Sequence, residues 1–510
     1  MRDHLFLYLN GRPVRVTGED AFLTLSDFLR QRRRLTGTKV VCAEGDCGSC
    51  SVLVGRPEAG KVRYAAVTSC IQLMFQLDAA HVVTVEGLRG GRELNPIQHA
   101  LVACHGTQCG FCTPGFVVAL YDLMHDGRPV DAEGVRRGLV GSLCRCTGYD
   151  SIVRSALAID RASLRPVDAL YPPESLATDL TRAATEEVLI ESGSRKFFKP
   201  TTVEHAARFR ADNPGCVVIA GGTDMGVVYN KRMRSIDVAL STASLADLRT
   251  IRVHAGSLHV GACATLTALE RASLERLPEL GRFLAFFGSP LIKNAGTLGG
   301  NLVTGSPIGD TIPALIVLGA RIELAGVAGV RHVPIDQFYT GYRRTVLAPD
   351  ELVIRVQIPL PRPGETFKLY KVSRRKDLDI SSFGAAIWLR RSGTVIEDVR
   401  IAYGGVGPMV LRMSKAEAVL RGQPATLERF EQAGDVARDE VTPITDVRGS
   451  EQYRRMLAAN ILVKFWHGAF AGDDRTPDGN GDGRAPQQPA PPPTARVRTP
   501  RLAPGRKGRT

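Results

Sequence analysis

Nothing constrains this chain more than the spacing of its cysteines. Eight of the eleven fall in two tight sets before residue 150. The first is Val41-Cys42-Ala43-Glu44-Gly45-Asp46-Cys47-Gly48-Ser49-Cys50, with Cys70 about twenty residues beyond Cys50. The second opens at Gln108-Cys109-Gly110-Phe111-Cys112-Thr113-Pro114-Gly115 and closes at Cys144-Arg145-Cys146-Thr147-Gly148-Tyr149. Any fold available to this sequence must bring four thiols together twice within its first third.

Cys-x4-Cys-x2-Cys with a distant fourth cysteine is the spacing of a plant-type [2Fe–2S] cluster. Gly45 and Gly48 let the loop wrap closely and turn its N–H groups toward sulfur. The alternative for this set is a four-cysteine zinc site, but such sites favour two Cys-x2-Cys knuckles rather than a three-plus-one arrangement with interleaved glycines. In the second set four thiolates in two pairs suit another [2Fe–2S] cluster, each iron taking one pair. Thr113 is a candidate cap for a helix that Pro114 starts, and amides at such an end favour an anionic cluster. Two clusters in one chain imply an electron relay. Clustered cysteines in a reducing compartment point to metal, not disulfides. Cys104, Cys216 and Cys263 read as small buried hydrophobes.

In chain order, Leu5–Leu9 and Pro13–Val16 read as strands about an Asn10-Gly11 turn, followed by a helix capped by Thr24 or Ser26. From about Asn95 the period becomes helical: Ile97, Leu101 and Val102, then Phe116 to Met124, then Val135 to Leu139. Residues 162–195 lack clear periodicity until Val188-Leu189-Ile190, contain Pro172-Pro173 and read as a linker. Cys216 to Ala220 is a buried strand entering Gly221-Gly222-Thr223-Asp224-Met225-Gly226, whose bare backbone could hug a diphosphate. The dinucleotide fingerprint Gly-x-Gly-x-x-Gly is absent, so a Rossmann fold is not expected. A second glycine-rich segment, Lys293 to Asn301, leads to Ser306-Pro307-Ile308-Gly309-Asp310, and two such loops suit a long bent ligand with a diphosphate in its middle. An α/β unit carrying Tyr370-Lys371-Val372-Ser373-Arg374-Arg375 closes with a helix from Gln452 to about Trp466.

At 510 residues and 44% apolar content, three or four domains are expected. No apolar run is long enough to cross a bilayer and the start lacks a signal-peptide pattern, so a cytoplasmic protein with no membrane partner is the expectation. The formal charge is +14, but residues 471–510 hold eight Arg/Lys against four Asp, leaving about +10 elsewhere. Arg30, Arg32, Arg33 and Arg34 form the one dense run in the body, read as a solvated helix end because no aromatic residues interleave it; a nucleic-acid partner is not expected. Rich in Gly, Pro, Asp and Arg, the tail is expected to be disordered.

Taken together, the ferredoxin loop, Gln-Cys-Gly-Phe-Cys-Thr-Pro-Gly, Cys-Arg-Cys-Thr-Gly-Tyr, and the Gly-Gly-Thr-Asp and Gly-Thr-Leu-Gly-Gly-Asn loops resemble the xanthine dehydrogenase branch of the molybdenum hydroxylases over about residues 4 to 465. The resemblance implies a multidomain α+β chain: a plant-type ferredoxin (β-grasp) domain over 1–84, a helical [2Fe–2S] domain over 85–161, a linker over 162–195, an α+β FAD-binding domain of the molybdenum hydroxylase type over 196–362, a C-terminal α/β flavoprotein domain over 363–470 and the tail. It implies that Cys42, Cys47, Cys50 and Cys70 hold one cluster and Cys109, Cys112, Cys144 and Cys146 the other. Gln108 matches a residue that lies against the pterin. Val218, Ile219, Ala220, Gly221, Gly222, Thr223, Asp224 and Met225 match the first FAD loop, and Thr297, Leu298, Gly299, Gly300 and Asn301 the second. Phe287, Asp310 and Lys415 are matched to further flavin contacts. Gly222 replaces an asparagine and Thr297 a serine of many relatives, changes that keep the backbone role.

The implied partner is a molybdopterin-binding large subunit carrying the molybdenum cofactor, in a heterotetramer of two small and two large subunits. The implied activity is electron transfer from that partner through two [2Fe–2S] clusters to FAD and on to NAD⁺ during oxidation of hypoxanthine and xanthine. No side chain here need act on the purine, so no catalytic residue is named. The alternatives are a subunit of an aldehyde or aromatic-ring oxidoreductase and a non-catalytic redox carrier or sensor.

Overall fold

The computed structural model describes residues 1–89 and 93–470, and the expected disorder of 471–510 lies outside them. Asn10 and Gly11, with φ of 49° and 76°, supply the two left-handed positions of a tight hairpin turn between Leu5–Leu9 and Arg12–Val16. Three more strands complete a five-stranded sheet in the order Arg12–Val16, Leu5–Leu9, His81–Val83, Ser51–Glu58, Lys61–Thr68. Leu5–Leu9 runs parallel to His81–Val83, and the other neighbours pair antiparallel. Thr24 caps the short helix Leu25–Asp27, its hydroxyl accepting the Asp27 amide.

Helices Pro96–Ala103, Thr113–His125, Ala132–Gly138 and Asp150–Leu157 follow. Asn95 and Gln98 form a capping box at the first. Thr113 does not cap the second: Cys112 holds the cap position, and the Thr113 hydroxyl bonds Thr107 instead. Val102, grouped above with Ile97 and Leu101, faces outward.

Residues 162–195 are not an unstructured connection. Helix Pro173–Ala184 buries Leu176, Ala177 and Leu180 against Tyr8 and Val62 of the first sheet. Strands Val188–Ser192 and Arg195–Lys199 then form a hairpin. The proline pair read as a break, whereas Pro173 occupies the first helical position, where its missing N–H costs nothing.

That hairpin begins a four-stranded sheet ordered Val188–Ser192, Arg195–Lys199, Val238–Ser241, Val217–Ile219. A second, five-stranded antiparallel sheet is ordered Ile251–His254, Ser257–Gly261, Leu352–Pro359, Arg321–Gly326, Gly329–Pro334. Last comes a four-stranded sheet from Glu365 to Arg412 with helices Ser414–Leu420, Leu427–Glu440 and Glu451–Phe470. Among the described residues no helix is long and apolar enough to cross a membrane.

The first sheet does not close its own core. Leu5, Phe22, Leu25 and Phe75 pack in one cluster with Val188, Phe197, Val217 and Ile219, and Phe75 stacks on Phe197 at 4.7 Å. Beside this seam Asp78 accepts Lys199 Nζ at 2.6 Å and two Arg2 nitrogens at 2.9 and 2.8 Å. Lys199 and Arg2 also donate to the Ala183 carbonyl. One carboxylate thus ties the first sheet, the 173–184 helix and the 188–241 sheet. The Lys199 and Asp78 side chains are 2% and 1% exposed, so removing one partner strands a buried charge. Asp78→Ala is expected to lower unfolding free energy by about 3–5 kcal/mol in urea titration, and Asp78→Ala/Lys199→Met by much less.

Asp122, on helix Thr113–His125, is raised to about 6 by burial and then by Asp126, while its Oδ1 accepts the Ala66 amide. A folded-state pKa above the unfolded value means the native state holds its proton more tightly, so stability is lost as pH rises from about 4 through about 6. Asp122→Asn keeps an acceptor without the charge. It is expected to raise the thermal midpoint at pH 8, a gain that vanishes below about pH 4.

Candidate functional site

The first cysteine set lies in a loop with three left-handed positions, Ala43, Gly45 and Gly48. The thiols form a string of contacts: Cys47 with Cys42, Cys42 with Cys70, Cys70 with Cys50. The Glu44 amide donates to Cys42 Sγ at 3.4 Å. Cys50 and Cys70 are buried, Cys42 and Cys47 half-buried. Gly45 takes φ 84°, which favours glycine, and the ends of the Ile71 and Ile292 side chains close over it. Burial raises the Asp46 carboxyl, as do Cys42 and Glu44, while Arg375 and Lys231 pull it down.

In the second set the thiol contacts run across the two loops, Cys109 with Cys146 and Cys112 with Cys144. Thr147 Oγ1 donates to Cys144 Sγ at 3.2 Å. Cys109, Cys146 and Gln108 are exposed. Phe111, Leu143 and Tyr149 in the same loops, and Val41 beside Cys42, are each at least 40% exposed. Among the described residues no group of three or more His, Cys, Asp or Glu donors already converges on one metal-ion point. Both sets are all-thiol, the first a string of four and the second two contacting pairs, the donor chemistry a two-iron cluster takes.

Gly48 joins the sets. Its carbonyl would lie 2.2 Å from a Cβ on Gly115, at the start of the helix after Cys112, and a Cβ on Gly48 itself would lie 2.4 Å from the Gly141 carbonyl. The Leu143 amide donates to the Cys47 carbonyl at 3.0 Å, linking the residue before Cys144 directly to a member of the other set.

The two glycine loops also meet. Gly222 takes φ 71° before helix Thr223–Asn230, and a Cβ on Gly221 would lie 2.0 Å from the Ala295 carbonyl. Thr297 caps helix Leu298–Thr304, its hydroxyl accepting the Gly300 amide. Bare backbone and helix starts at both loops fit a diphosphate. Val218 and Ala220 lead into the first loop beside buried Ile219, while Asp224 is exposed and Met225 half-buried. Phe287 packs half-buried on the core of the second sheet, and the Asn301 carboxamide accepts Thr311 Oγ1 at 2.6 Å. A cavity of about 1060 Å³ reaches Gly221, Ala295 and Thr297, but not Phe287, Asn301 or Asp310.

Asp310 is buried, held by Lys371 Nζ and Ser381 Oγ, each at 2.5 Å. Nothing local marks Lys371 within Tyr370–Arg375, and only the fold brings it to Asp310. Lys415 instead sits exposed on helix Ser414–Leu420, its amide on Glu440. Of the three remaining cysteines, Cys263 is buried as expected, whereas Cys104 and Cys216 are half-buried because each borders an element end.

Four families match in succession: a 2Fe-2S iron-sulfur cluster binding domain over residues 7–71, a [2Fe-2S] binding domain over 84–157, the FAD binding domain in molybdopterin dehydrogenase over 192–361 and the CO dehydrogenase flavoprotein C-terminal domain over 368–469. Xanthine dehydrogenase of Drosophila subobscura is 30% identical across 91% of this chain and 39% of its own length. Aldehyde oxidase 2 of Rattus norvegicus is 29% identical over the same shares. The chain therefore spans about two fifths of these curated relatives. A carbon monoxide dehydrogenase structure from Hydrogenophaga pseudoflava superposes with a TM-score of 0.51 at 27% identity, covering 52% of this chain and 94% of its own. Quinoline 2-oxidoreductase from Pseudomonas putida 86 gives 0.50 at 28%, covering 54% and 96%. With two iron–sulfur domains followed by both flavoprotein domains in one order, the chain belongs to the molybdenum hydroxylase family, as its iron–sulfur and FAD-binding part.

Proposed function

We propose that this chain is the electron-transferring part of a xanthine dehydrogenase, passing electrons from a partner's molybdenum site through the Cys109 and then the Cys42 cluster to FAD and on to NAD⁺ as hypoxanthine and xanthine are oxidised. The observation that supports the purine reading is that xanthine dehydrogenases match across about nine tenths of the chain, clusters and flavin together, at up to 30% identity. Aldehyde oxidase 2 matches over the same share at 29%, so the substrate assay below separates the two.

Bound here, the clusters would supply one-electron steps and the flavin the change to two-electron chemistry. The residues do the holding. Cys42, Cys47, Cys50 and Cys70 would take one cluster and Cys109, Cys112, Cys144 and Cys146 the other. Val218 to Met225 and Thr297 to Asn301 would line the FAD diphosphate, with Phe287 and Asp310 further along and Lys371 taking the place expected of Lys415. Lys371 neutralises Asp310, so the carboxylate can stay buried and fixed. Phe111, Leu143 and Tyr149 stand exposed in the loops that carry Cys109 and Cys146, an apolar composition that suits a docking face, and it is there that a molybdenum-bearing partner would seat, in a complex of two copies of each chain.

A purified chain reconstituted anaerobically is expected to hold four irons and one FAD, with about half the iron lost in Cys144→Ala; a colourless wild-type preparation would remove the relay. Lys371→Ala is expected to weaken FAD retention on gel filtration by about tenfold, while Lys415→Ala leaves it unchanged. Assay of the complex with its molybdenum partner on xanthine, aldehydes, quinoline and carbon monoxide decides the substrate, and NAD⁺ reduction against O₂ consumption decides the acceptor.

A further inference from the structure

Helix Thr223–Asn230 begins at the first flavin loop and ends at the Cys42 loop. Eight residues give a rod of about 12 Å, and it touches the ferredoxin domain at both ends and in the middle. At its start Gln76, buried, donates Nε2 to the Gly221 carbonyl at 3.2 Å and accepts the Leu73 amide at 2.9 Å. A Cβ on Gly222 would stand 2.5 Å from the same Nε2. Midway, a Cβ on Gly226 would stand 2.2 Å from the Ile71 carbonyl, so the helix backbone lies directly on the turn Ser69–Ile71 that carries Cys70.

At the far end Asn230 Nδ2 donates to the Ala43 carbonyl at 2.8 Å and to the Cys70 carbonyl at 2.7 Å. Both hydrogens of one carboxamide nitrogen are used, on the residue following Cys42 and on Cys70 itself. The apolar seam described above already holds the two domains together. What these contacts add is register: they fix where along the seam one cofactor loop sits relative to the other.

We propose that Gln76 and Asn230 are positioning residues that lock the two ends of this helix to the ferredoxin domain and thereby set the gap between the flavin and the Cys42 cluster. The inference rests on the cofactor assignments above. Gln76 lines the cavity at the first glycine loop and holds Gly221 by its backbone carbonyl, as Asn230 holds Ala43 and Cys70 by theirs.

The test uses the full chain with iron and FAD counted in every variant, flash photoreduction of the flavin followed by bleaching of the clusters, and EPR of the reduced protein. Amide exchange at residues 221–226 is read on cofactor-free chain. Asn230→Ala is expected to keep four irons and FAD, to shift the EPR signal of one cluster only, and to slow electron passage by about tenfold or more. Gln76→Glu, which turns a donor into a carboxylate facing the Gly221 carbonyl, is expected to speed exchange at 221–226 and slow passage similarly. Should Asn230→Ala lose iron, Asn230→Ser keeps one donor and carries the comparison, with an intermediate rate supporting the proposal. Wild-type rate, signal and exchange in variants with full cofactors would overturn it. A wild-type chain without FAD would sink the underlying assignment instead, and the cofactor counts tell the two failures apart.

Discussion

The relay depends first on a hydrophobic seam. Phe75 stacked on Phe197 sits where the ferredoxin sheet and the 188–241 sheet share one cluster of buried side chains. Burial of apolar surface is non-directional and strong, so this seam decides that the two domains are one body. It does not decide their register to within an ångström. That falls to directional contacts at its margins: Asp78 with Lys199 and Arg2, and the carboxamides of Gln76 and Asn230 on opposed carbonyls. Division of labour between a non-specific adhesive force and a few oriented dipoles is how a protein can hold two separate loops at a fixed spacing.

Much of this was legible in the sequence because it is written in short-range chemistry. Cysteine spacing, the Asn10-Gly11 turn, the glycine runs at 221–222 and 299–300 and the 3.6-residue period of 116–124 each report on a few neighbouring residues. What the sequence concealed lies at long range. Pro172-Pro173 marks a boundary in either reading, and only the Tyr8 and Val62 surface makes the following segment a packed helix. Lys371 and Lys415 are equally plain lysines until the sheet from Glu365 to Arg412 places one on Asp310 and turns the other outward. Thr113 looked like a cap by residue type, but Thr107 competes for its hydroxyl. Gln76 and Asn230 carried no local signal, since their partners lie 145 and 160 residues away in the chain.

The glycines illustrate a second kind of constraint. Gly48, Gly115 and Gly141 converge from three segments so that backbone meets backbone between the cysteine sets. A side chain on Gly48 or Gly115 would push the sets apart, and one on Gly141 would meet Ser289. Gly221 and Gly226 do the same between the flavin loops and the ferredoxin turn. Their lack of bulk is what lets these loops lie close, and Gly48 and Gly141 add left-handed φ values of 68° and 93° that glycine adopts without steric cost.

The two cysteine sets also differ in reach. Cys50 and Cys70 pack in a small cluster with Ile71, each 2% exposed, while Cys109 and Cys146 face solvent. A sealed thiol can meet an incoming metal donor only while the chain is still open, whereas a surface thiol stays available after folding is complete. The eight thiols therefore form a gradient of reach, from the pair closed off under Ile71 through half-buried Cys42, Cys47, Cys112 and Cys144 to the two that any dissolved reagent meets first.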